Sequence, residues 1–345
     1  MRATLTVALI FCPQINKRGK NMKRKLLITL LAIIATLAFT IGLSACNNSD
    51  SEDNNDSPVL KFTLSADGNS YSVTGITPTA ETQVVIPSEY NGLCVKSIGG
   101  SAFQHCTSLK SITIPDSVTS IGVLAFSDCT SLTSVNIPDS VASIGDSAFY
   151  HCTSLTSVNM GNGINYIHDW AFSCCTSLTS IAIPDSVISI GENAFGGCTS
   201  LTTITVAENN ANYKSFLDCI LSKDGTTLIL GCKNSIIPSS VTSIGDWAFA
   251  GCNSITNIDL SNSVTAIGEC AFANCYSLTS IAIPNSVNKI GSYAFDNCST
   301  LSSIIFKGTT KRWNEIEQSY YGSTGYYTIY CTDGEIAKDG TITKY

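Results

Sequence analysis

Eight cysteines set the frame for this chain. Cys106, Cys129, Cys152, Cys175 and Cys198 are each 23 residues apart, and Cys252, Cys275 and Cys298 keep the same step. Their neighbours recur with them. Ala-Phe precedes each one, at Phe103, Phe126, Phe149, Phe172, Phe195, Phe249, Phe272 and Phe295, and Leu or Ile follows three residues later. The unit reads Ser-Val-x-x-Ile-Gly-x-x-Ala-Phe-x-x-Cys-x-Ser-Leu-x-x-Ile-x-Ile-Pro. One such unit is too short to bury its own apolar side. The copies must stack, each covering the next, around a shared core.

Spacing within the unit predicts its local structure. Leu132, Val135 and Ile137 end in alternation and are largely β-branched, which suits a short strand with one face inward. The proline that follows (Pro115, Pro138, Pro184) fixes φ and stops the strand. The glycines Gly122, Gly145 and Gly191 are expected to allow a turn at positive φ. Ala-Phe-x-x-Cys is expected to form one helical or 3-10 turn that drops Phe and Cys inward.

Leu-x-x-Ile-x-Ile resembles the core of leucine-rich repeats. The 23-residue period with Ile-Pro and Ala-Phe-x-x-Cys resembles the treponemal, or BspA-like, class of bacterial surface proteins. The resemblance spans residues 59–345 and implies an α+β repeat solenoid, with short strands on one face, short helical or 3-10 turns on the other, and hairpin caps. Val84–Gly92 resembles the family's entry segment, and Lys223–Leu230 its hairpin-bearing variant repeat. Lys307-Gly-Thr with Tyr327–Gly334 resembles its C-terminal cap. The expected organisation is an N-terminal cap at 59–93, repeats at 94–306 with a variant insert at 207–237, and a C-terminal cap at 307–345.

Charge divides the remainder of the chain. Residues 1–45 hold seven basic residues and no Asp or Glu, leaving 12 basic against 26 acidic beyond them, a balance of −14. Met22-Lys-Arg-Lys25, an apolar run from Leu26 to Leu43 and then Leu43-Ser-Ala-Cys46 have the order of an export signal. Leu-Ser-Ala-Cys resembles a lipoprotein lipobox, which implies cleavage before Cys46 and lipidation of its thiol, with Met22 as the expected start. A single membrane anchor is the alternative. Residues 46–58 are expected to be an acidic, flexible tether, since Asn47–Ser57 has no apolar side chain to bury. The acidic body argues against nucleic acid as a partner, and the 44% apolar content of the whole chain argues against disorder.

The sixteen cysteines suggest a disulfide framework. Stacked equivalents, however, lie near 4.8 Å with parallel Cβ vectors, an unsuitable geometry for a bridge, so the ladder thiols are expected to be reduced. No Cys-x-x-Cys occurs, and His105, His151 and His168 are the only histidines, so neither metal nor cofactor is expected. His105 and His151 fall in a variable slot before the ladder Cys, read as a surface slot, and His168 replaces the turn glycine. No nucleophile–His–carboxylate set stands out, and a non-catalytic protein is expected.

Binding is therefore expected on the strand face, at the outward position of each strand: Thr113, Asn136, Asn159, Ala182, Thr205, Asp259 and Ala282, with Ile305 last. This strip is mildly polar and has no aromatic anchor of its own. Tyr150, Trp170, Trp247, Tyr276 and Tyr293 depart from the consensus and are candidate anchors. The resemblance implies a lipid-anchored protein of the bacterial envelope, at the outer membrane or cell surface, that adheres to a host matrix or to other cells through an extracellular protein or glycan. A structural lipoprotein that scaffolds other envelope components is the alternative.

Overall fold

The computed structural model describes residues 59–77, 82–318 and 327–345. The export signal, the tether and Cys46 lie outside the described residues. Among the described residues no helix is long and apolar enough to cross a membrane.

The repeat folds into coils whose strands pair in parallel with their equivalents. The Leu-x-x-Ile-x-Ile segments form one wall. Ser134–Ile137 pairs with Ser157–Met160, Ser180–Ile183 with Thr203–Val206, and Asn257–Asp259 with Ser280–Ile283 and then Ser303–Phe306. The Val-x-x-Ile segments form a second wall, with Ser120–Ile121, Ser143–Ile144, Tyr166–Ile167 and Ser189–Ile190 in register. Val135 and Ile137 point inward while Asn136 between them is exposed. At the N-terminal end Leu60–Leu64 pairs antiparallel with Tyr71–Ile76, and at the C-terminal end Gly334–Ile336 pairs antiparallel with Ile342–Lys344.

The third side corrects the expected helical turns, and with them the α+β class. The coils are almost all strand and turn, and the helix Thr310–Asn314 follows the last repeat. In the Phe126 coil alternate amides point in different directions. Leu124, Phe126 and Asp128 donate to Asp146, Ala148 and Tyr150 of the next coil at 2.9, 2.7 and 2.8 Å. Ala125, Ser127 and Cys129 donate within the coil to Gly122, Leu124 and Phe126. A 3-10 helix would direct every amide along its own axis. Here a left-handed residue at each end of the turn, Leu124 (φ 58°) and Asp128 (φ 60°), swings every second amide sideways. The ladder between coils replaces the helix.

The expected role of the consensus glycines also changes. Gly122, Gly145 and Gly191 do not lie at positive φ. They are needed for close approach: a Cβ on Gly145 would stand 2.7 Å from the Gly122 carbonyl carbon and 2.8 Å from the Val123 nitrogen. Glycine at this position lets the backbones of successive coils touch.

Inside, the rings stack. Phe103, Phe126, Phe149, Phe172 and Phe195 are fully or almost fully buried, with consecutive centroids 5.0–5.4 Å apart and planes within 10°. A second stack, Phe249, Phe272 and Phe295, follows the insert. The buried residues divide correspondingly into two clusters. All fourteen described cysteines are free thiols. Each of the Cys129, Cys152, Cys175, Cys198, Cys275 and Cys298 thiols donates to the Phe carbonyl of the coil before, at 3.0–3.3 Å. Burial raises the Cys129 and Cys198 thiols far above the ordinary range and Cys252 to about 12. These are small apolar residues that also supply one weak donor.

Hydroxyls bridge the coils at the surface. Thr133, Thr156, Thr179 and Thr202 each donate to the carbonyl 23 residues earlier at 3.0–3.5 Å. Ser140, Ser186, Ser263 and Ser286 do the same at a corner, to the carbonyl 22 residues earlier, at 2.6–2.7 Å. Part of the high Ser and Thr content thus serves inter-coil bonding. Such bonds hold the stack without ions.

Candidate interaction face

Parallel register places the outward residues of paired strands opposite one another. Val85 lies opposite Thr113, Asn136 opposite Asn159, and Ala182 opposite Thr205. Beyond the insert Asp259 lies opposite Ala282, Ala282 opposite Ile305, and Ile305 opposite Tyr330. Of the residues expected here, Thr113, Asn136, Asn159, Ala182, Thr205, Asp259 and Ile305 are exposed and Ala282 is half-buried. The Asn159 amide donates to Asn136 at 2.5 Å, and Lys307 neutralises Asp259 at 2.8 Å.

Two features of this face were not evident from the repeat alone. Ile236 takes the corresponding sequence position between Thr205 and Asp259 and is exposed. It stands two residues before Pro238, as Asn136 stands two before Pro138, and Val241 donates to the Pro238 carbonyl as Val141 does to Pro138. The Gly231 amide donates to the Ala248 carbonyl and its own carbonyl accepts the Cys252 thiol at 3.6 Å, so Gly231 fills the Phe position. The seven residues from it to Pro238, against twelve from Phe126 to Pro138, disguise the register. The second feature is a hairpin, Tyr213–Phe216 paired with Cys219–Ser222, beside the edge of Thr203–Val206. Asp218 accepts the Ile204 amide at 3.3 Å, and Ser215 accepts the Val206 amide at 3.0 Å.

The other candidates lie elsewhere. Tyr150, Trp170, Trp247, Tyr276 and Tyr293 are on or next to the turn ladder, and none is fully exposed. Trp170 and Trp247 meet edge to face, with centroids 5.3 Å apart. Tyr276 donates to Asn274 at 3.2 Å. They pack the turn side and do not reach the strand face.

The slot before the ladder Cys is a left-handed position, which corrects its reading as a surface slot. His105, Asp128, His151, Cys174, Gly197, Gly251, Asn274 and Asn297 all have φ between 55° and 71°. Cys174 and Asn274 are buried there. Asn, Asp, His and Gly suit this conformation best, so backbone shape selected them.

Within the slot column His151 Nδ1 lies 2.8 Å and His105 Nδ1 3.4 Å from the Asp128 carboxylate. Burial pushes Asp128 up, but the His151 hydrogen bond and the two imidazoles outweigh it and leave the carboxyl below its ordinary value. The hydrogen bond to Asp128 raises His151. Cys174 follows in the column, but burial raises its thiol, the opposite of an activated nucleophile. His168 Nδ1 is 3.9 Å from Asp146. Among the described residues no group of three His, Cys, Asp or Glu side chains is placed to hold a metal.

His151 provides a direct check of this cluster. Its raised pKa means that the pairing contributes below pH 6.5 and is lost as pH rises through the folded value. The depressed Asp128 pKa means that the pairing is lost again as pH falls through that folded value. The pair is partly exposed and contributes about 0.5 kcal/mol. Asp128→Asn is expected to return the His151 NMR titration towards 6.5, and an unchanged midpoint would refute the pairing.

Parallel walls, a turn ladder and one coil per 23 residues define a leucine-rich repeat solenoid. The model of the BspA type leucine rich repeat region matches residues 96–222 and 230–335 in six copies. The chain belongs to that family. A search of curated proteins returns no match. Several solved structures are similar. A leucine rich cell surface protein from Faecalibacterium prausnitzii A2-165 is 26% identical, with 79% of this chain and 99% of that one covered and a TM-score of 0.38. The pneumococcal vaccine antigen PcpA is 19% identical over 75% of this chain and 82% of its own, with a TM-score of 0.56, a likeness of fold. A leucine-rich repeat protein from Eubacterium ventriosum is 24% identical over 73% and 71%, with a TM-score of 0.49.

Proposed function

We propose that this chain is a non-catalytic binding protein, displayed on a bacterial surface, that engages an extracellular protein through its strand face. The observation that carries this reading is the outward strand residues on either side of the insert, Val85 to Thr205 and Asp259 to Tyr330, paired in register within each sheet and largely exposed. Extended solenoid faces of this kind serve as binding platforms across repeat architectures. Cys46 is the proposed lipid attachment site, with residues 46–58 as the spacer. Two acyl chains or more at such a site would hold the chain stably on a membrane.

Protease shaving of intact cells tests the display. The solenoid is expected to be lost from shaved cells, and Cys46→Ala is expected to release it from the membrane fraction. A body that survives shaving until the cells are lysed would refute surface binding and leave the envelope-scaffold role.

A further inference from the structure

The hairpin tip beside the strand face departs from what folding alone would select. Leu217 and Asp218 are its two central residues, both left-handed, with φ of 48° and 58°. This is the backbone of a tight hairpin turn, where Asn-Gly and Asp-Gly are favoured. A branched apolar residue is strained there. Leu217 is also 45% exposed, next to Phe216 at 51% and Ile236 at 61%. Leu217 and Ile236 are held together, the Ile236 amide donating to the Leu217 carbonyl at 3.3 Å and the Cys219 thiol lying 3.7 Å from both carbonyls, and Phe216 pairs with Cys219 across the hairpin. Backbone strain and apolar exposure at one residue are two costs with no return inside the fold, the signature of a position kept for use.

Charge identifies the occupant. In the outward column from Thr113 to Ile305 only Asp259 is charged, and Lys307 neutralises it. The adjacent column, Ser111, Ser134, Ser157, Ser180, Thr203, Asn257, Ser280 and Ser303, has no charge. Apart from Asp218, whose carboxylate at the hairpin tip accepts the Ile204 amide, most acidic residues lie elsewhere. Asp116, Asp139 and Asp185 follow the strand-ending prolines, and Asp146, Asp169, Glu192, Asp246 and Glu269 follow the ladder glycines or His168. A basic partner would be drawn to those corners, whereas the strand face complements a neutral surface.

We infer that Phe216, Leu217 and Ile236 form an apolar anchor for a protein partner presenting an uncharged, apolar pocket, with the neighbouring Thr and Asn residues as its polar rim. This rests on the reading of the chain as a binding solenoid and specifies where on it and with what chemistry. Aromatic and aliphatic side chains at the centre of a polar rim are the usual carriers of binding energy.

The test uses the full chain, immobilised, against a displayed library of random 12-residue peptides. Wild type is compared with the double variant Phe216→Ser/Leu217→Asn and with Tyr166→Ser, which removes an exposed aromatic from the second wall. Selected peptides are expected to be apolar and uncharged and to bind equally at low and high salt. They are expected to lose at least about tenfold in affinity for the double variant and none for Tyr166→Ser. Leu217→Asn alone is expected to raise the melting temperature, because strain is relieved at a site without a structural role. Peptides that bind the double variant equally, failure to enrich any peptide, or a lower melting temperature for Leu217→Asn would overturn the assignment. Basic peptides released by salt would move docking to the acidic corners. A wild-type dimer abolished in the double variant would make the occupant a second copy. Shaving and selection are independent, so a protein protected in intact cells that still selects tip-dependent peptides would end the surface reading and leave the anchor standing.

Discussion

Phe149→Ala is expected to destabilise the solenoid by about 3–5 kcal/mol, the cost of emptying a large buried aromatic site. Phe149 is fully buried, with Phe126 at 5.0 Å on one side and Phe172 at 5.1 Å on the other, all nearly parallel. The site cannot collapse cheaply. Phe149 donates to the Ala171 carbonyl at 2.7 Å, and Phe126 to Ala148 at 2.7 Å, so backbone bonds fix the spacing on both sides of the hole. Phe295 provides the contrast. It has one parallel neighbour, Phe272 at 5.7 Å, and meets Tyr327 edge to face at 6.5 Å. Phe295→Ala is expected to cost less. Denaturant unfolding with amide exchange measures both. Protection should fall first around Phe149, in the first buried cluster, before the coils of Phe249 and Phe272. A loss under about 1 kcal/mol for Phe149→Ala would show that the stack carries little of the stability.

Gly145→Ala is the second large effect, at about 3 kcal/mol, the upper part of the usual overpacking range. The added methyl would meet the backbone of Gly122 and Val123 at under 3 Å, and neither atom belongs to a side chain that could rotate away. The native sequence contains an informative exception. His168 occupies the same position one coil later, and its amide reaches the Ile144 carbonyl at 3.0 Å, whereas Gly122, Gly145 and Gly191 bond at 2.8, 2.9 and 2.8 Å. The array accommodates a Cβ at this one coil. His168→Gly is therefore expected to be neutral or stabilising, and the two substitutions together separate steric crowding from glycine's flexibility. Equal destabilisation by both, measured as melting temperature, would contradict the close-approach account.

The outline of the fold was legible because the 23-residue period is read directly from residues that must be buried. Phe and Cys recur where they form the interior column, and Ile-x-Ile alternates where a wall needs one inward face. The turn was not legible in the same way. Ala-Phe-x-x-Cys has the spacing of one helical turn, and its left-handed residues are announced only by the Asn, Asp, His and Gly of the slot. That signal was present but resembled surface variability. The outward position of each strand could be read from the period wherever it is regular, from Thr113 to Thr205 and again from Asp259, and these residues are exposed except Ala282. It was lost at Ile236, where the turn before Pro238 is five residues shorter than in the regular coils. The hairpin tip was hidden for a related reason, since Phe216-Leu217 in a linear reading could as well have been core.

The inter-coil bonds have a consequence for how such a chain changes length. Each coil meets its neighbours through hydroxyls, thiols and alternate amides that reach one coil along, to acceptors present in every copy. A duplication of one 23-residue unit would supply the new coil with the donors and acceptors its template already used. Recombination within the gene can therefore lengthen or shorten the array in whole units without stranding a buried polar group, while the irregular coil at Ile236 is kept in single copy.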